Sequence, residues 1–368
     1  MMFVSLRPRC PLPDVAEPNE NRVKLLGKRQ MFKPQNLNRR ASLRAGMVFA
    51  IAAAALAGFS PVKAHADEPT IAFVPKLVGI PYFNAMKQGL DEGGKKFGAH
   101  IIYQGPTTAS VSGQSEIVQS LINRHVSAVG VSANSPTALE ALAKQAKDDG
   151  VLFYSSDSQV DGPDVSLRVQ QTTNAGLADA VIDELAKAIG DKGDVAFVSG
   201  GPTATNLNNW IALMKTYMAS KYPGIKLVSI QYAGEDINKA TQVTSQLLSA
   251  YPDLKGVVGI NSTAVPGAAQ AVLRAGLSGK VAVTGITDPN TIRPFILDGT
   301  VKSVVLWNPI SLGYLTVWGV MQELEHKPFQ AENNVPGLPN PVKYTASTNT
   351  LLLGKPMVID KNNVNLNF

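Results

Sequence analysis

The chain has 368 residues, 45% of them hydrophobic and 17% charged, a globular composition that excludes disorder and collagen-like or coiled-coil repeats. The formal net charge of +6 belongs to the leader: residues 1–66 hold 11 basic and 3 acidic groups, which leaves 23 bases against 25 acids in the remainder. That remainder lacks the excess positive charge needed to neutralise nucleic-acid phosphates, so no nucleic-acid partner is expected.

In chain order, the first feature is the segment MVFAIAAAALAGF at 47–59. Thirteen apolar or small residues are too few to span a hydrocarbon core as a helix, which takes about 20. The segment follows Arg39, Arg40 and Arg44 and precedes Ala64-His65-Ala66, the three-part pattern of a secretory signal peptide. NRRASLR (38–44) resembles a twin-arginine signal without its usual Phe, so twin-arginine and ordinary export both stay open. Residues 1–30 exceed a signal of normal length, and either Met31 is the true start or the extension is real. We expect 1–66 to be the leader and the protein to act in the periplasm from about Asp67. The single cysteine, Cys10, lies in that leader, so neither disulfides nor thiolate chemistry are expected beyond it, and no cysteine stands at the cleavage site to carry a lipid anchor.

Beyond the leader, β-rich runs alternate with amphipathic helical stretches. The runs are Thr70–Val74, His100–Tyr103, Ala128–Val131, Leu152–Ser155, Asp194–Val198, Lys226–Gln231, Gly256–Ile260, Val281–Gly285 and Ser303–Leu306. Helical spacing is clearest in 83–97 (Phe83, Met86, Leu90, Phe97), in 175–189 (Leu177, Val181, Leu185, Ile189, then Gly190 as cap) and in 206–220 (Trp210, Leu213, Met214, Tyr217, Met218). Such alternation predicts an α/β fold of parallel sheets covered by helices on both faces. It breaks once, at 161–174, which predicts two α/β units. The Pro- and Asn-rich stretch 326–342 reads as a surface loop.

Ligands of open α/β sheets sit outside the carboxyl ends of the strands. There the sequence places Lys76, Tyr82 and Phe83 after the first run, Asn134 after the third, Asp157 after the fourth, GGPTATN with Asn206 after Val198, Asn261 and Ser262 after Ile260, Asp288 after Gly285, and Trp307 after Leu306. These are the candidate binding residues. Charged, amide and hydroxyl groups satisfy sugar hydroxyls in donor–acceptor pairs, and aromatic rings cover the C–H face of the sugar. Each has a plainer role as well. Asn134, Asn206 and Asn261 fit turns and helix caps, Tyr82 and Trp307 fit the core, Lys76 and Asp157 can pair with each other, and Gly200-Gly201 fits a tight turn. His100, His125 and His326 have no metal-ligand spacing. Neither a G-x-S-x-G elbow, a Walker A motif nor a G-x-G-x-x-G after the first strand occurs. No enzyme activity, cofactor or metal is expected.

The segments IAFVPKLVG (71–79), YQGPTTASVSGQ (103–114), VSANSPTAL (131–139), TATNLNNWI (203–211), AVPGAAQ (264–270) and GTVKSVVLWNPISLGY (299–314) carry a resemblance that runs over 69–368. They resemble the periplasmic sugar-binding proteins of ABC importers with the type I fold, and within them the group holding the autoinducer-2-binding and rhamnose-binding proteins. The resemblance implies two lobes joined by three crossings, near Gln171–Thr173, Trp307–Pro309 and Leu351–Gly354. The lobes are then 67–172 with 309–350, and 173–308 with 351–368, closing by a hinge on a small sugar. It also implies that the closed protein, as a monomer, docks on a membrane permease; a sensor subunit docking on a receptor kinase is the alternative. Lys76 matches the family lysine that bonds ligand hydroxyls, and Asp157 the aspartate after the fourth strand. Where the autoinducer-2 receptors carry Asp-Gln this chain has Asn206-Leu207, and where they have Pro and Ala contacts it has Ile260 and Ser262. Four of six positions thus depart from that pattern, whereas Asn206 and the W-N-P-I segment are similar to the rhamnose-binding branch. A deoxyhexose, a pentose or a polyol is the implied ligand, with autoinducer-2 kept open.

Overall fold

The computed structural model describes residues 68–368. The expectations for the leader, its export signal and Cys10 lie outside the described residues. The first half runs β1 (Thr70–Val74), α1 (Pro81–Phe97), β2 (His100–Tyr103), α2 (Val111–Asn123), β3 (Ala128–Val131), α3 (Glu140–Asp148), β4 (Leu152–Ser156) and β5 (Leu167–Thr172). The second begins at α4 (Asn174–Ile189) and continues with β6 (Gly193–Ser199), α5 (Thr205–Lys221), β7 (Ile225–Tyr232), α6 (Ile237–Ala250), β8 (Gly256–Gly259), α7 (Ala264–Arg274), β9 (Ala282–Gly285), α8 (Pro289–Leu297) and β10 (Ser303–Leu306). The chain then returns through α9 (Pro309–Leu324), β11 (Glu332–Asn333), β12 (Val342–Thr345), β13 (Thr350–Gly354) and β14 (Met357–Asp360).

Local chemistry explains the element ends. Pro81 opens α1 with φ already set, and Gly98 closes it in the left-handed conformation. The side chain of Thr173 caps α4 by accepting from the Gly176 amide, and Gly190 terminates it in the same left-handed way. In the first sheet the order is β11-β12-β13-β5-β4-β3-β1-β2, with β5, β4, β3, β1 and β2 parallel. The period of two along β1 sends Ile71 and Phe73 to the face that also packs Met86 and Leu90 of α1, and Ala72 and Val74 to the face with Val118, Leu121 and Ile122 of α2. The second sheet, β7-β6-β8-β9, is parallel throughout. β10 touches β9 through the single bridge Ile286–Val305 and pairs with β14 on its other side.

With the β10-β14 pair counted with the second sheet that it touches, the chain passes between the two halves three times: after β5, after β10, and between β13 and β14. Strand β13 pairs with β5 as far as Gly354, so the last change falls past Gly354 rather than at residue 351. Strands β11 to β14 were not legible as strands in the sequence. β11 is two residues long, in the stretch expected as a loop, and β12 is a half-exposed strand interrupted by polar residues.

Helix α9 returns to the first sheet by crossing α1 at glycines on both helices. A Cβ on Gly89 would lie 1.9 Å from the Ile310 carbonyl oxygen, and one on Gly313 would lie 2.2 Å from that of Met86. We expect Gly313→Ala to destabilise the protein by roughly 1–3 kcal/mol or more, since backbone rather than a flexible side chain must give way. Urea denaturation checks this, and an unchanged midpoint would contradict it.

Candidate functional site

The carboxyl ends of the two sheets face each other, and the segments after β1, β4, β6, β7, β8, β9 and β10 contribute walls to one small cavity of about 40 Å³. That is below the range for small-molecule sites, about 300–1,000 Å³, so a ligand of that size needs the walls to move apart. Eight of the ten sequence-predicted residues line it: Lys76, Tyr82, Phe83, Asp157, Asn206, Asn261, Ser262 and Trp307.

Lys76 is 3% exposed, and its ammonium donates to Asn206 Oδ1 at 2.8 Å. The bond joins the loop after β1 to the first turn of α5. Asn206 is not the cap of that helix: Ala204 holds the cap position without a side-chain bond, so Asn206 turns its carboxamide oxygen to Lys76 and to the Leu207 amide. Lys76 and Asp157 do not pair with each other. Asp157 Oδ1 accepts from the Tyr82 hydroxyl at 2.8 Å and Oδ2 from Ser132 Oγ at 2.5 Å, so two neutral donors hold its carboxylate. Trp307 Nε1 donates in turn to the Tyr82 oxygen at 3.2 Å. Burial, with the Asp157 carboxylate next to it, pushes the Tyr82 hydroxyl well above the usual phenol range and keeps it protonated as a donor. Asp157 sits at φ 70°, a left-handed conformation costly for a residue with a Cβ. Its backbone N–H, donating to the Val169 carbonyl, and its two side-chain bonds hold it there.

Aromatic rings form one wall. Trp307 meets Tyr82 edge-on at 5.8 Å and Trp210 at 5.9 Å, and Phe83 meets Tyr82 edge-on at 5.1 Å. The rest is largely apolar, from Ile80, Leu207, Ile286 and Leu306.

Two expected residues do not line the cavity. Asn134 is a strut: its Nδ2 donates to the Lys76 carbonyl, its amide donates to Gln114 Oε1, and its carbonyl accepts from Thr203 Oγ1 at 2.9 Å. Gln114 also donates to the Val74, Pro75 and Ser132 carbonyls, which ties the ends of β1 and β3 together. Asp288 caps α8 instead, with Oδ1 accepting from the Thr291 amide and hydroxyl, and its side chain is wholly buried.

The sequence reading missed Glu235 and Trp210. Glu235 follows β7 on a polar turn with no motif of its own, and Asp236 beside it is taken up as the α6 cap. Trp210 was counted in the apolar face of α5; its ring reaches the cavity while Nε1 donates to Asn174 Oδ1. Among the described residues no cluster of His, Cys, Asp or Glu could hold a metal ion, and no helix is long and apolar enough to cross a membrane.

Two facing parallel sheets with a walled cavity between their carboxyl ends define a two-lobed solute-binding fold. The chain belongs to the periplasmic binding protein domain family, whose model matches residues 71–328; its members are carriers of solutes, not enzymes. It is 29% identical over 267 residues to the D-ribose/D-allose-binding protein of Pseudomonas aeruginosa, covering 69% of this chain and 83% of that protein. Its structure is similar to an ABC transporter solute-binding protein of Clostridium phytofermentas with bound L-rhamnose, at a TM-score of 0.76 and 27% identity, over 81% of this chain and 97% of that one. It is likewise similar in fold to LsrB of Clostridium saccharobutylicum in complex with AI-2, at 0.77 and 23%, over 81% of this chain and all of that one.

Asp288 generates a pH prediction. Burial, with no donor to Oδ2, raises its carboxyl above the ordinary range, against the lowering effect of Thr291. A folded-state value above the unfolded one means the native state holds the proton longer, so stability falls as pH rises between the two values. We expect Asp288→Asn, which keeps the cap oxygen, to gain on the wild type in urea denaturation as pH is raised through that window. A constant difference between the two proteins would contradict it.

Proposed function

We propose that the protein is the sugar-binding component of an ABC importer, acting in the periplasm as a monomer and handing its cargo to a membrane permease. The observation that carries this reading is the Lys76–Asn206 bond across the mouth between the two sheets. It brings a cation from one half and an amide from the other to the same small, aromatic-walled cavity. On this reading the lobes are 67–172 with 309–354 and 173–308 with 355–368, and hinge closure assembles the full contact set. Ligand shifts the open–closed population by its preference for the closed state.

The cavity walls support a deoxyhexose, a pentose or a related polyol. Leu207 lines the cavity where the resemblance places a glutamine in autoinducer-2 receptors, and Ile260 is buried in the core rather than in the wall. An apolar patch at that point suits a methyl group or the C–H face of a ring. Micromolar affinity corresponds to about −8 kcal/mol, which a few charge-assisted hydrogen bonds and the aromatic wall supply.

Three outcomes follow. In a melting-temperature screen of sugars, polyols and autoinducer-2, a true ligand at 100 times its dissociation constant adds about 2.7 kcal/mol of stability; a screen in which no sugar acts would remove the reading. Asp157→Asn keeps an acceptor for Tyr82 but loses the charge, and we expect at least about tenfold weaker binding in calorimetry, whereas unchanged affinity would take Asp157 out of the site. Thr203→Val removes the bond to the Asn134 carbonyl that spans the halves, so we expect faster ligand release in stopped-flow fluorescence of the tryptophans, and an unaltered off-rate would show the bond to be idle.

A further inference from the structure

The cavity holds more negative than positive charge. Its ionisable lining, besides the Tyr82 hydroxyl, is Lys76, Asp157 and Glu235, which is one formal cation against two carboxylates. The Asp157 carboxylate has donors on both oxygens, and the Lys76 ammonium is directed at the Asn206 oxygen rather than at either acid. Glu235 is different. Asn261 Nδ2 donates to its Oε2, and among the described residues nothing donates to Oε1. Among the described residues it has no ion pair within 4.0 Å.

The place of Glu235 is built into the backbone. Gly200, at the end of β6, leaves the space that its carboxylate and Asn261 occupy: a Cβ at Gly200 would lie 2.6 Å from Glu235 Oε1 and 2.7 Å from Asn261 Nδ2. The glycine therefore lets the carboxylate lie against the strand end, beside the cavity. Glu235 is half-buried, and its oxygen without a protein donor is open to a donor on a ligand, best a cationic one, since a charge-assisted hydrogen bond is the stronger kind. Burial pushes its carboxyl above the usual range, Lys76 pulls it back, and Asp157 pushes it up again, so the three groups sense one another.

We propose that the unpaired Glu235 carboxylate is a specificity determinant that recognises a protonated amine on the ligand. The site then takes an amino sugar, or a cyclic sugar with nitrogen in the ring, more tightly than its neutral counterpart, and it rejects sugar acids and sugar phosphates. This rests on the reading of the cavity as a sugar site and narrows it.

The test is titration calorimetry on the purified protein with matched pairs: glucose and glucosamine, galactose and galactosamine, mannose and mannosamine, and L-rhamnose with its ring-nitrogen analogue, alongside galacturonate and neutral pentoses. We expect at least one basic member to bind about tenfold or more tighter than its neutral partner, the gain of a charged over a neutral hydrogen bond. The preference disappears in Glu235→Gln. On the unmutated protein it also disappears between about pH 6.5 and about pH 9.5, on either side of the amine's pKa near 8, which keeps the test open if the variant does not fold. If neutral sugars bind and no basic partner binds better, or if the preference survives Glu235→Gln or the higher pH, the proposal is overturned while the sugar-binding reading stands. If nothing in the panel binds, both fall.

Discussion

One hydrogen bond organises the molecule: the Lys76 ammonium on the Asn206 carboxamide, 2.8 Å apart and drawn from residues 130 positions apart in the chain. A lysine buried to this degree needs an acceptor, and its own half supplies none. The first sheet directs its acid, Asp157, to Tyr82 and Ser132. The acceptor comes from α5, beside the second sheet, so the bond joins the two halves. Everything that supports Lys76 has the same purpose: Gln114 fastens the strand ends beneath it, and Asn134 grips its carbonyl while accepting Thr203 from across the gap. On the proposed reading, a ligand entering the cavity competes with Asn206 for the Lys76 ammonium.

The wall chemistry then divides by lobe. The first contributes a cation, a carboxylate held by neutral donors, and Tyr82 and Phe83. The second contributes amides, a carboxylate short of donors, and the Trp210–Trp307 pair. Trp307 also links the halves, since its indole N–H reaches the Tyr82 oxygen. A solute-binding protein works by such a division, because each lobe alone binds weakly and closure supplies the difference in affinity that moves the equilibrium.

The fold was largely legible in the sequence because its strands, most of them parallel and buried, write themselves as short apolar runs between amphipathic helices. Thr70–Val74, His100–Tyr103, Ala128–Val131 and Ser303–Leu306 have the bounds the sequence suggested. The short strands β11 and β12 were not legible, because edge and antiparallel strands with one wet face mix polar residues into a weak pattern. The rule that ligands gather at strand carboxyl ends led to eight residues that line the cavity. It overreached at Asp288, where an Asp after a strand is the cap of the next helix, and at Asn134, where the side chain turns to the backbone. It fell short at Glu235, whose turn reads as the start of α6 with Asp236 as its cap, and at Trp210 because an apolar helical position gives no sign of whether it faces core or cavity.

The most direct test of closure is small-angle scattering with and without the sugar that raises the melting temperature most, on the wild type and on Lys76→Met. The account predicts that the sugar reduces the radius of gyration of the wild type and that Lys76→Met stays at the larger value under the same conditions. A wild-type radius that does not change with saturating sugar, or a Lys76→Met protein that contracts as fully as the wild type, would contradict it.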